Sequence, residues 1–239
     1  MSKPTQIFLS GKVDKLIFYE FDGKPCSRRM PEKVRQTKAT KGSAKLFGMA
    51  VSMSAVLRKD LANILPGKAI RKNMYVLNAA LVNWLKEEKS KTPTASDPLM
   101  SLHGLPFNEN RSLHSCLKFS LDIIWSRNGN SVVRIPAITP SIDIKAPPKT
   151  KSIIWKIALA SCTVDNPSAP VRQAITELEM PYDNHATEIR SAELPFAVGK
   201  GELAVAVVSL MYKVANGDGA SLVGISKWMP VDLVNAESW

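Results

Sequence analysis

The stretch "LIFYEFDGKPCSRRM", residues 16–30, decides the N-terminal part of the fold. Its first half is rich in β-branched and aromatic residues and ends at Asp22-Gly23, a two-residue turn signal that is typical of β-hairpins. The second half supplies the return strand. Pro25 predicts that this strand lies at a sheet edge, because proline donates no hydrogen bond to a β-ladder. The preceding segment "IFLS", residues 7–10, is a further strand candidate.

After a basic connection, the apolar residues take up a helical period from Ser43, which we predict as the N-cap. The apolar stripe of this helix contains Leu46, Ala50, Met53, Leu57, Leu61 and Leu65. A second helix is predicted over residues 69–89. Its stripe contains Met74, Leu77, Leu81, Trp84 and Leu85. Pro66-Gly67 separates the two helices, and so short a connection favours an antiparallel helical hairpin.

Beyond the linker "SKTPTASDP", residues 90–98, the sequence predicts β-structure throughout. The segment "LKFSLDIIW", residues 117–125, alternates apolar and polar side chains, as a half-buried strand does. The apolar run "LAVAVVSLMY", residues 203–212, is half the length of a membrane span and predicts a buried strand. Five or more short strands with turn signals between them indicate an antiparallel sandwich.

Together these patterns predict an α+β protein in which an N-terminal β-hairpin and a helical hairpin pack with a C-terminal antiparallel β-sandwich. Residues 1–91 hold the two hairpins and the basic connection, and residues 92–239 hold the sandwich. A lone hairpin is too small to be stable in water, so it should pair with the sandwich or with another chain. We therefore expect one integrated unit rather than two separate domains.

The formal net charge of +11 is concentrated in the first part of the chain. Residues 1–91 hold 19 basic and 7 acidic residues, a balance of +12, whereas residues 92–239 hold 13 and 14, a balance of −1. Such asymmetry indicates contact with a polyanion or with an acidic protein surface. The predicted contact residues are Lys24, Arg28, Arg29, Lys33, Arg35, Lys38, Lys41, Lys45, Arg58, Lys59, Arg71 and Lys72.

The eight basic residues between residues 24 and 45 are enough to contact about half a dozen phosphates, with strong salt dependence and little sequence preference. No aromatic residue lies between Phe21 and Phe47, so the basic stretch by itself lacks the stacking platform of a single-strand binder. We expect the irregular part, Met30 to about Thr40, to form a tethered ridge between ordered elements rather than a disordered arm.

The sequence offers no catalytic constellation. His103 lies in a predicted loop, where a hydrogen bond to the backbone is its expected role. His114 and Cys116 are two residues apart at the start of a predicted strand and would share a face, but a metal site needs at least one further ligand. Glu177 and Glu179 are typical of a solvated strand or loop. We therefore expect no enzyme, no catalytic residue, no cofactor and no metal.

The three cysteines, Cys26, Cys116 and Cys162, are odd in number and widely spaced. This pattern argues against a disulfide framework and favours a reducing compartment. The N-terminal "MSKPTQIFLSGK" lacks the apolar segment of a secretory signal, and no run is long enough to span a bilayer. A cytoplasmic location is the resulting expectation.

Several stretches resemble a family of uncharacterised proteins that is widespread in Bacteroidota. The matching pieces are "GKVDKLIFYEFDGKPCSRRMPEKVRQTKATKGSAKLFGMAVSMSAVLR", "MYVLNAALVNWL" and "ELAVAVVSLMYKVANGDGASLVGISKW". They include the aromatic pair Phe18-Tyr19, the turn glycine Gly23, the helix opening "LFG" at residues 46–48 and the pair Leu57-Arg58. These are packing and turn motifs, so the resemblance supports the fold and implies no activity.

Three function classes follow from these patterns. The favoured hypothesis is a non-catalytic structural protein that self-associates into an oligomer or larger assembly, with itself as partner. The alternative is a nucleic-acid-binding or packaging protein that uses the basic segment, residues 24–72. An enzyme is third, because it would require a pocket around His103 or His114.

Overall fold

The computed structural model describes residues 10–30, 36–65, 71–89, 98–108, 110–166, 169, 172–216, 219–223 and 228–238. Contacts divide the chain into two compact units, Met1–Gly42 and Ser43–Trp239. The predicted α+β class is confirmed, since an N-terminal hairpin, long helices and C-terminal antiparallel sheets are all present.

The first unit contains a three-stranded antiparallel sheet, here called the N-terminal sheet. Its strands are β1 (Gly11–Val13), β2 (Leu16–Phe21) and β3 (Lys24–Arg29), and β2 lies in the middle. The predicted hairpin and its return strand are therefore confirmed, and Pro25 lies in an edge strand as expected. The strand candidate "IFLS" lies outside the described residues apart from Ser10, which precedes β1.

Both turns of the N-terminal sheet contain residues in the left-handed region. Asp22 has φ +50° and Gly23 has φ +71°, which is the combination required by the tight two-residue turn between β2 and β3. Asp14, in the turn between β1 and β2, has φ +52°. These turns fix the register of all three strands, because a slip of one residue would need a different loop length.

The first long helix, α1 (Lys38–Asp60), begins earlier than predicted. The backbone N–H of Thr40 donates to Oγ1 of Thr37 at 3.1 Å, which is the hydrogen bond of an N-cap. The prediction of Ser43 as N-cap is therefore wrong, because Thr37 offers the same hydroxyl chemistry six residues earlier. The predicted irregular ridge is shortened accordingly, and its residues 31–35 lie outside the described part of the chain.

In the second unit, α1 from Ser43 onwards and the helix α2 (Arg71–Lys89) bury most of the predicted stripes, and the side chain of Met74 lies outside the described part of the chain. Helix α1 buries Ala50, Met53 and Leu57, and a short 3-10 helix continues with Leu61. Among the described side chains of α2, the buried apolar ones are Leu77, Ala80, Leu81, Trp84 and Leu85. The linker predicted at residues 90–98 lies outside the described residues except for Pro98.

The second unit is built around one large antiparallel sheet. Its strands follow the spatial order β4 (Leu105–Pro106), β12 (Val231–Ser238), β10 (Glu202–Asn216), β7 (Thr150–Thr163) and β8 (Arg172–Pro181), and β11 (Gly219–Val223) pairs with the end of β10. A smaller sheet contains β5 (Asp122–Ile124), β6 (Ser131–Ile135) and β9 (Arg190–Leu194).

The central strands of the large sheet, β7 and β10, are buried on both faces. Val205 and Val207 of β10 share a cluster with the helix residues Leu81 and Trp84. The alternate residues, including Val208, share a second cluster with the small sheet. Because β10 is covered on both sides, its sequence is continuously apolar instead of alternating, which explains the run at residues 203–212.

The prediction of β-structure throughout the C-terminal part is wrong in detail. Two short helices, α3 (Leu113–Cys116) and α4 (Pro140–Asp143), interrupt the strands. The strand predicted at residues 117–125 is reduced to β5. Helix α3 forms because its N-terminal amides are capped: Ser112 Oγ accepts from the N–H of Ser115 at 3.2 Å, and Asp232 Oδ2 accepts from the N–H of Leu113 at 2.7 Å.

Candidate interaction surface of the N-terminal sheet

The register of the N-terminal sheet sorts its side chains onto two faces. Lys12 and Arg28 both lie opposite Ile17, Tyr19 lies opposite Cys26, and Phe21 lies opposite Lys24. Directly paired residues point to the same side of a sheet, and residues two apart along a strand do so as well. The first side, here called the aromatic–basic face, contains Lys12, Ile17, Tyr19, Phe21, Lys24, Cys26 and Arg28.

The other side of the sheet is here called the apolar face. It contains Gly11, Val13, Leu16, Phe18, Glu20, Pro25, Ser27 and Arg29. Val13 is 59% exposed and Leu16 is 42% exposed, whereas Phe18 is half-buried. This face therefore offers apolar side chains to a partner surface, together with one acid and one base.

The aromatic–basic face combines exposed rings with cations. The guanidinium carbon of Arg28 lies 6.0 Å from the centroid of the Tyr19 ring. Phe21 is 64% exposed, and Lys12 and Lys24 are exposed on the neighbouring strands. Among the residues that the structure places on this face there is no acid, since Glu20 lies on the opposite side and Asp14 and Asp22 lie in turns.

No residue of the N-terminal sheet is buried; every one is exposed or half-exposed. A single layer of three short strands has no interior of its own, because each side chain points to one of two open faces. The sheet therefore needs a covering surface to bury its apolar side chains.

The structure distributes the predicted contact residues over several elements. Lys24, Arg28 and Arg29 lie in β3, where the pleat puts Arg28 and Arg29 on opposite faces. The exposed lysines Lys38, Lys41 and Lys45 lie in the first half of α1, and Arg58 and Lys59 lie in its last turn. Lys33 and Arg35 lie outside the described residues, as do the side chains of Arg71 and Lys72.

The side chain of Arg58 is hydrogen-bonded within its own helix. Its Nε donates to the backbone carbonyl oxygen of Ser54 at 3.1 Å, and Ser54 Oγ lies 3.3 Å from the same nitrogen. This hydrogen bond directs the guanidinium along α1. Arg58 is therefore a weaker candidate for phosphate contact than the exposed cations of the N-terminal sheet.

The two aromatic rings of the aromatic–basic face, Tyr19 and Phe21, and its cation Lys12 were not among the predicted contacts. The basic stretch contains no aromatic residue, so the sequence indicated no stacking platform. Composition does not show which residues become neighbours across strands. The turn at Asp22-Gly23 folds the aromatic strand β2 back beside the basic strand β3, and this register brings rings and cations together. A two-residue turn read together with the alternation of β2 would have placed Tyr19 and Phe21 beside Arg28 and Lys24.

The histidines noted in the sequence are not grouped into a site in the part of the chain that the structure describes. His103 Nε2 lies 3.4 Å from the carbonyl oxygen of Ala236, which agrees with the predicted contact to backbone. His114 and Cys116 occupy α3 instead of a strand, and the helix exposes the first and buries the second. In the described part of the chain, no three His, Cys, Asp or Glu side chains are grouped to hold a metal ion.

Glu177 and Glu179 share a face of the large sheet, as an extended strand predicts. Glu177 is 2.8 Å from Lys156 Nζ, and Glu179 accepts hydrogen bonds of 2.6 Å from Lys213 Nζ and from Ser152 Oγ. The Lys213 ammonium holds the pKa of Glu179 below its usual range, assisted by the Ser152 hydroxyl. These carboxylates are ordinary cross-strand partners.

Asp232 is a carboxyl group that is buried in the second unit. Its side chain lies inside the sandwich, where Oδ2 accepts from the N–H of Leu113, and Oδ1 has no hydrogen-bond partner among the residues that the structure describes. Burial raises the pKa of Asp232 to about 6, although backbone N–H groups of α3 and the nearby His114 favour the ionised form. The adjoining cavity of about 180 Å³ is lined mainly by Leu113, Leu117, Phe119, Leu121 and Val234.

Comparison of the chain with protein-family models, with curated proteins and with solved structures finds no match in any of the three. The resemblance to a Bacteroidota family therefore stays a prediction. Of the helices that the structure describes, none has the length and apolar character needed to cross a membrane.

Proposed function

We propose that the chain is a non-catalytic structural protein that self-associates, and that the apolar face of the N-terminal sheet is the contact. The observation that carries this proposal is the absence of any buried residue among the described residues of that sheet. A layer without an interior gains its stability from the surface that covers it.

The expected gain from covering the apolar face is substantial. Fully burying a Val, Leu or Phe side chain contributes about 1.5–3 kcal/mol relative to leaving it in water. Val13 is 59% exposed, Leu16 is 42% exposed and Phe18 is half-exposed, so covering these three side chains contributes several kcal/mol. This amount is large compared with the marginal stability of an isolated three-stranded sheet.

The chemistry of the apolar face also suits a second copy of itself. Glu20 and Arg29 both lie on this face, one on the central strand and one on the edge strand. In an isologous contact the same surface meets its own copy, so a face that carries one acid and one base is able to offer each charge its opposite. Two stacked sheet faces are also a common packing arrangement in proteins.

The test is the concentration at which the assembly dissociates, measured by sedimentation velocity for two double variants. Val13→Ser with Leu16→Ser removes apolar surface from the proposed contact. Ile142→Ser with Ile189→Ser is the matched control, since these side chains are 58% and 66% exposed in the second unit. We expect the first variant to dissociate at a concentration at least about tenfold higher, because roughly 1.4 kcal/mol corresponds to tenfold in affinity.

The control variant should dissociate at the wild-type concentration. Equal shifts for both double variants would instead assign self-association to surface hydrophobicity in general and would contradict a contact at the apolar face. Circular dichroism of both variants establishes that the large sheet is intact.

A further inference from the structure

We propose that the aromatic–basic face of the N-terminal sheet binds single-stranded nucleic acid. The site lies on the opposite side of the sheet from the proposed self-association contact. It therefore adds a ligand to the proposed function without depending on it.

Sequence-independent binding of a single strand requires two kinds of group. Cations pair with the phosphates, and exposed aromatic rings stack on unpaired bases. The aromatic–basic face supplies both within three strands. Tyr19 and Phe21 supply the rings, and Lys12, Lys24 and Arg28 supply the cations.

The arrangement of these groups follows the strand order. Tyr19 and Phe21 are two residues apart on the central strand β2, a separation of about 7 Å. Lys12 lies on β1 to one side, and Lys24 and Arg28 lie on β3 to the other. Lys12 and Arg28 are diagonal to Tyr19, one on each side, and Lys24 lies directly opposite Phe21. A strand of bases that runs over β2 therefore meets cations on both sides of Tyr19 and on the β3 side of Phe21.

The exposure of the rings favours bases over a folded protein surface as their partner. Phe21 is 64% exposed and Tyr19 is 39% exposed, although both belong to a strand in the middle of the sheet. Arg28 lies beside Tyr19, where its planar guanidinium extends the stacking surface and keeps its charge towards solvent. An acidic protein surface would be attracted by the cations and would gain little from the two rings.

The aromatic–basic face also differs from the reverse of the same sheet in net charge. Its described residues carry three cations and no acid, whereas the apolar face carries Glu20 against Arg29. Phosphates are therefore attracted to one side of the sheet only.

The experiment is a fluorescence anisotropy titration of the full-length protein with a labelled oligothymidylate and a labelled oligouridylate, from about 50 to 200 mM salt. We expect both oligonucleotides to bind. The logarithm of the association constant, plotted against the logarithm of the salt concentration, should have a slope near −2, because each of the three cations contributes about −0.7 for a single strand. A duplex of equal length should bind more weakly, because its bases are not free to stack.

Two pairs of variants assign the binding to a face. Phe21→Leu keeps apolar bulk and removes the ring, and Phe47→Leu makes the same change at a side chain of α1 that is 57% exposed. Arg28→Gln removes one charge from the aromatic–basic face, and Lys118→Gln removes one charge from an exposed position of the second unit. We expect Phe21→Leu to weaken binding by between about five- and a hundredfold and Arg28→Gln to flatten the salt slope by about 0.7, with both controls near wild type.

Several results would overturn the proposal. The wild-type protein failing to bind either oligonucleotide at 50 mM salt would do so, and so would losses that are equal for the tested and control variants. Tight binding of polyglutamate that is unaffected by Phe21→Leu, together with weak oligonucleotide binding, would assign the face to an acidic protein partner instead. The particle mass after nuclease treatment is measured separately and tests self-association alone. A negative titration therefore contradicts this proposal without contradicting self-association.

Discussion

The guanidinium carbon of Arg28 lies 6.0 Å from the centroid of the Tyr19 ring on the aromatic–basic face of the N-terminal sheet. The two residues are not directly opposite, because Tyr19 pairs with Cys26 and Arg28 pairs with Ile17. Their contact is the diagonal one between neighbouring antiparallel strands, which long side chains are able to reach. An exposed cation–π contact of this kind contributes about 0.5–1 kcal/mol, which orders both side chains without removing them from solvent.

Cys26 provides a chemical probe of the aromatic–basic face. It is half-exposed opposite Tyr19, whereas Cys116 and Cys162 are buried. Burial, with the nearby charge of Glu202, raises the pKa of Cys162 to about 12, so this thiol is almost entirely protonated at pH 8. We expect iodoacetamide at pH 8 to modify Cys26 first, as measured by peptide mass spectrometry, and bound oligonucleotide to slow that reaction. Equally fast modification of Cys162 in the folded protein would contradict the burial described above.

Asp232 should make the stability of the second unit depend on pH. Its folded pKa of about 6 lies above the usual value of about 3.9 for an unfolded chain, so the folded state binds more protons between these limits. The contribution of Asp232 to stability is therefore greatest at low pH and falls as pH rises from about 4 to about 6.

The matched variant for this prediction is Asp232→Asn, whose amide oxygen is able to accept the hydrogen bond from Leu113 without carrying a charge. We expect the melting temperature of the Asn variant, relative to wild type, to rise between pH 4 and pH 7. Asp232→Ala removes the cap of α3 and should be less stable than the Asn variant at every pH. A difference between Asn variant and wild type that does not change with pH would show that the carboxyl group titrates normally.

The helices and the large sheet should unfold together. Leu81 of α2 is fully buried in the cluster that also contains Val205 and Val207 of β10. Leu81→Ala should lower the free energy of unfolding by about 2–5 kcal/mol, because it leaves a cavity between the helix and the sheet. Urea unfolding followed by far-ultraviolet and near-ultraviolet circular dichroism should show both signals shifted by the same amount. A shift in the helical signal alone would mean that the helices fold independently of the sheet.

The stability of the N-terminal sheet should depend on Gly23, which lies in the turn between β2 and β3. Its φ of +71° lies in the left-handed region, which an L-residue adopts at a cost of about 1 kcal/mol or more. Since this sheet has no buried residue to offset the strain, Gly23→Ala should open it. We expect faster hydrogen exchange for the amides of residues 16–29, with the amides of β7 and β10 unchanged. Unaltered exchange at residues 16–29 would show that another turn geometry is tolerated.

The parts of the fold that could be predicted from the sequence depend on local chemistry. The turn at Asp22-Gly23, the helical stripe through Leu57 and the apolar run of β10 are each recognisable within about a dozen residues. The start of α1 was placed wrongly at Ser43, because Thr37 provides an equivalent cap and the basic residues between them carry no apolar period.

The parts that could not be predicted depend on partners far along the chain. Helix α3 is capped by Asp232, which lies 119 residues after Leu113 in the sequence. No pattern near α3 therefore predicts this cap. Strand β8 carries mostly exposed or half-exposed side chains, because it lies at an edge of the large sheet next to β7. The aromatic–basic face likewise forms because the strand register brings Tyr19 beside Arg28. The composition of residues 24–45 therefore does not predict this face.

The particle mass of the purified full-length protein, after nuclease treatment, tests the proposed self-association most directly. Light scattering at micromolar concentration in low salt should give a multiple of the chain mass of 26.2 kDa, or a larger assembly visible by electron microscopy. Nuclease should leave this mass unchanged, because the proposed contact is between apolar faces. A single sharp species of 26.2 kDa under these conditions would contradict self-association.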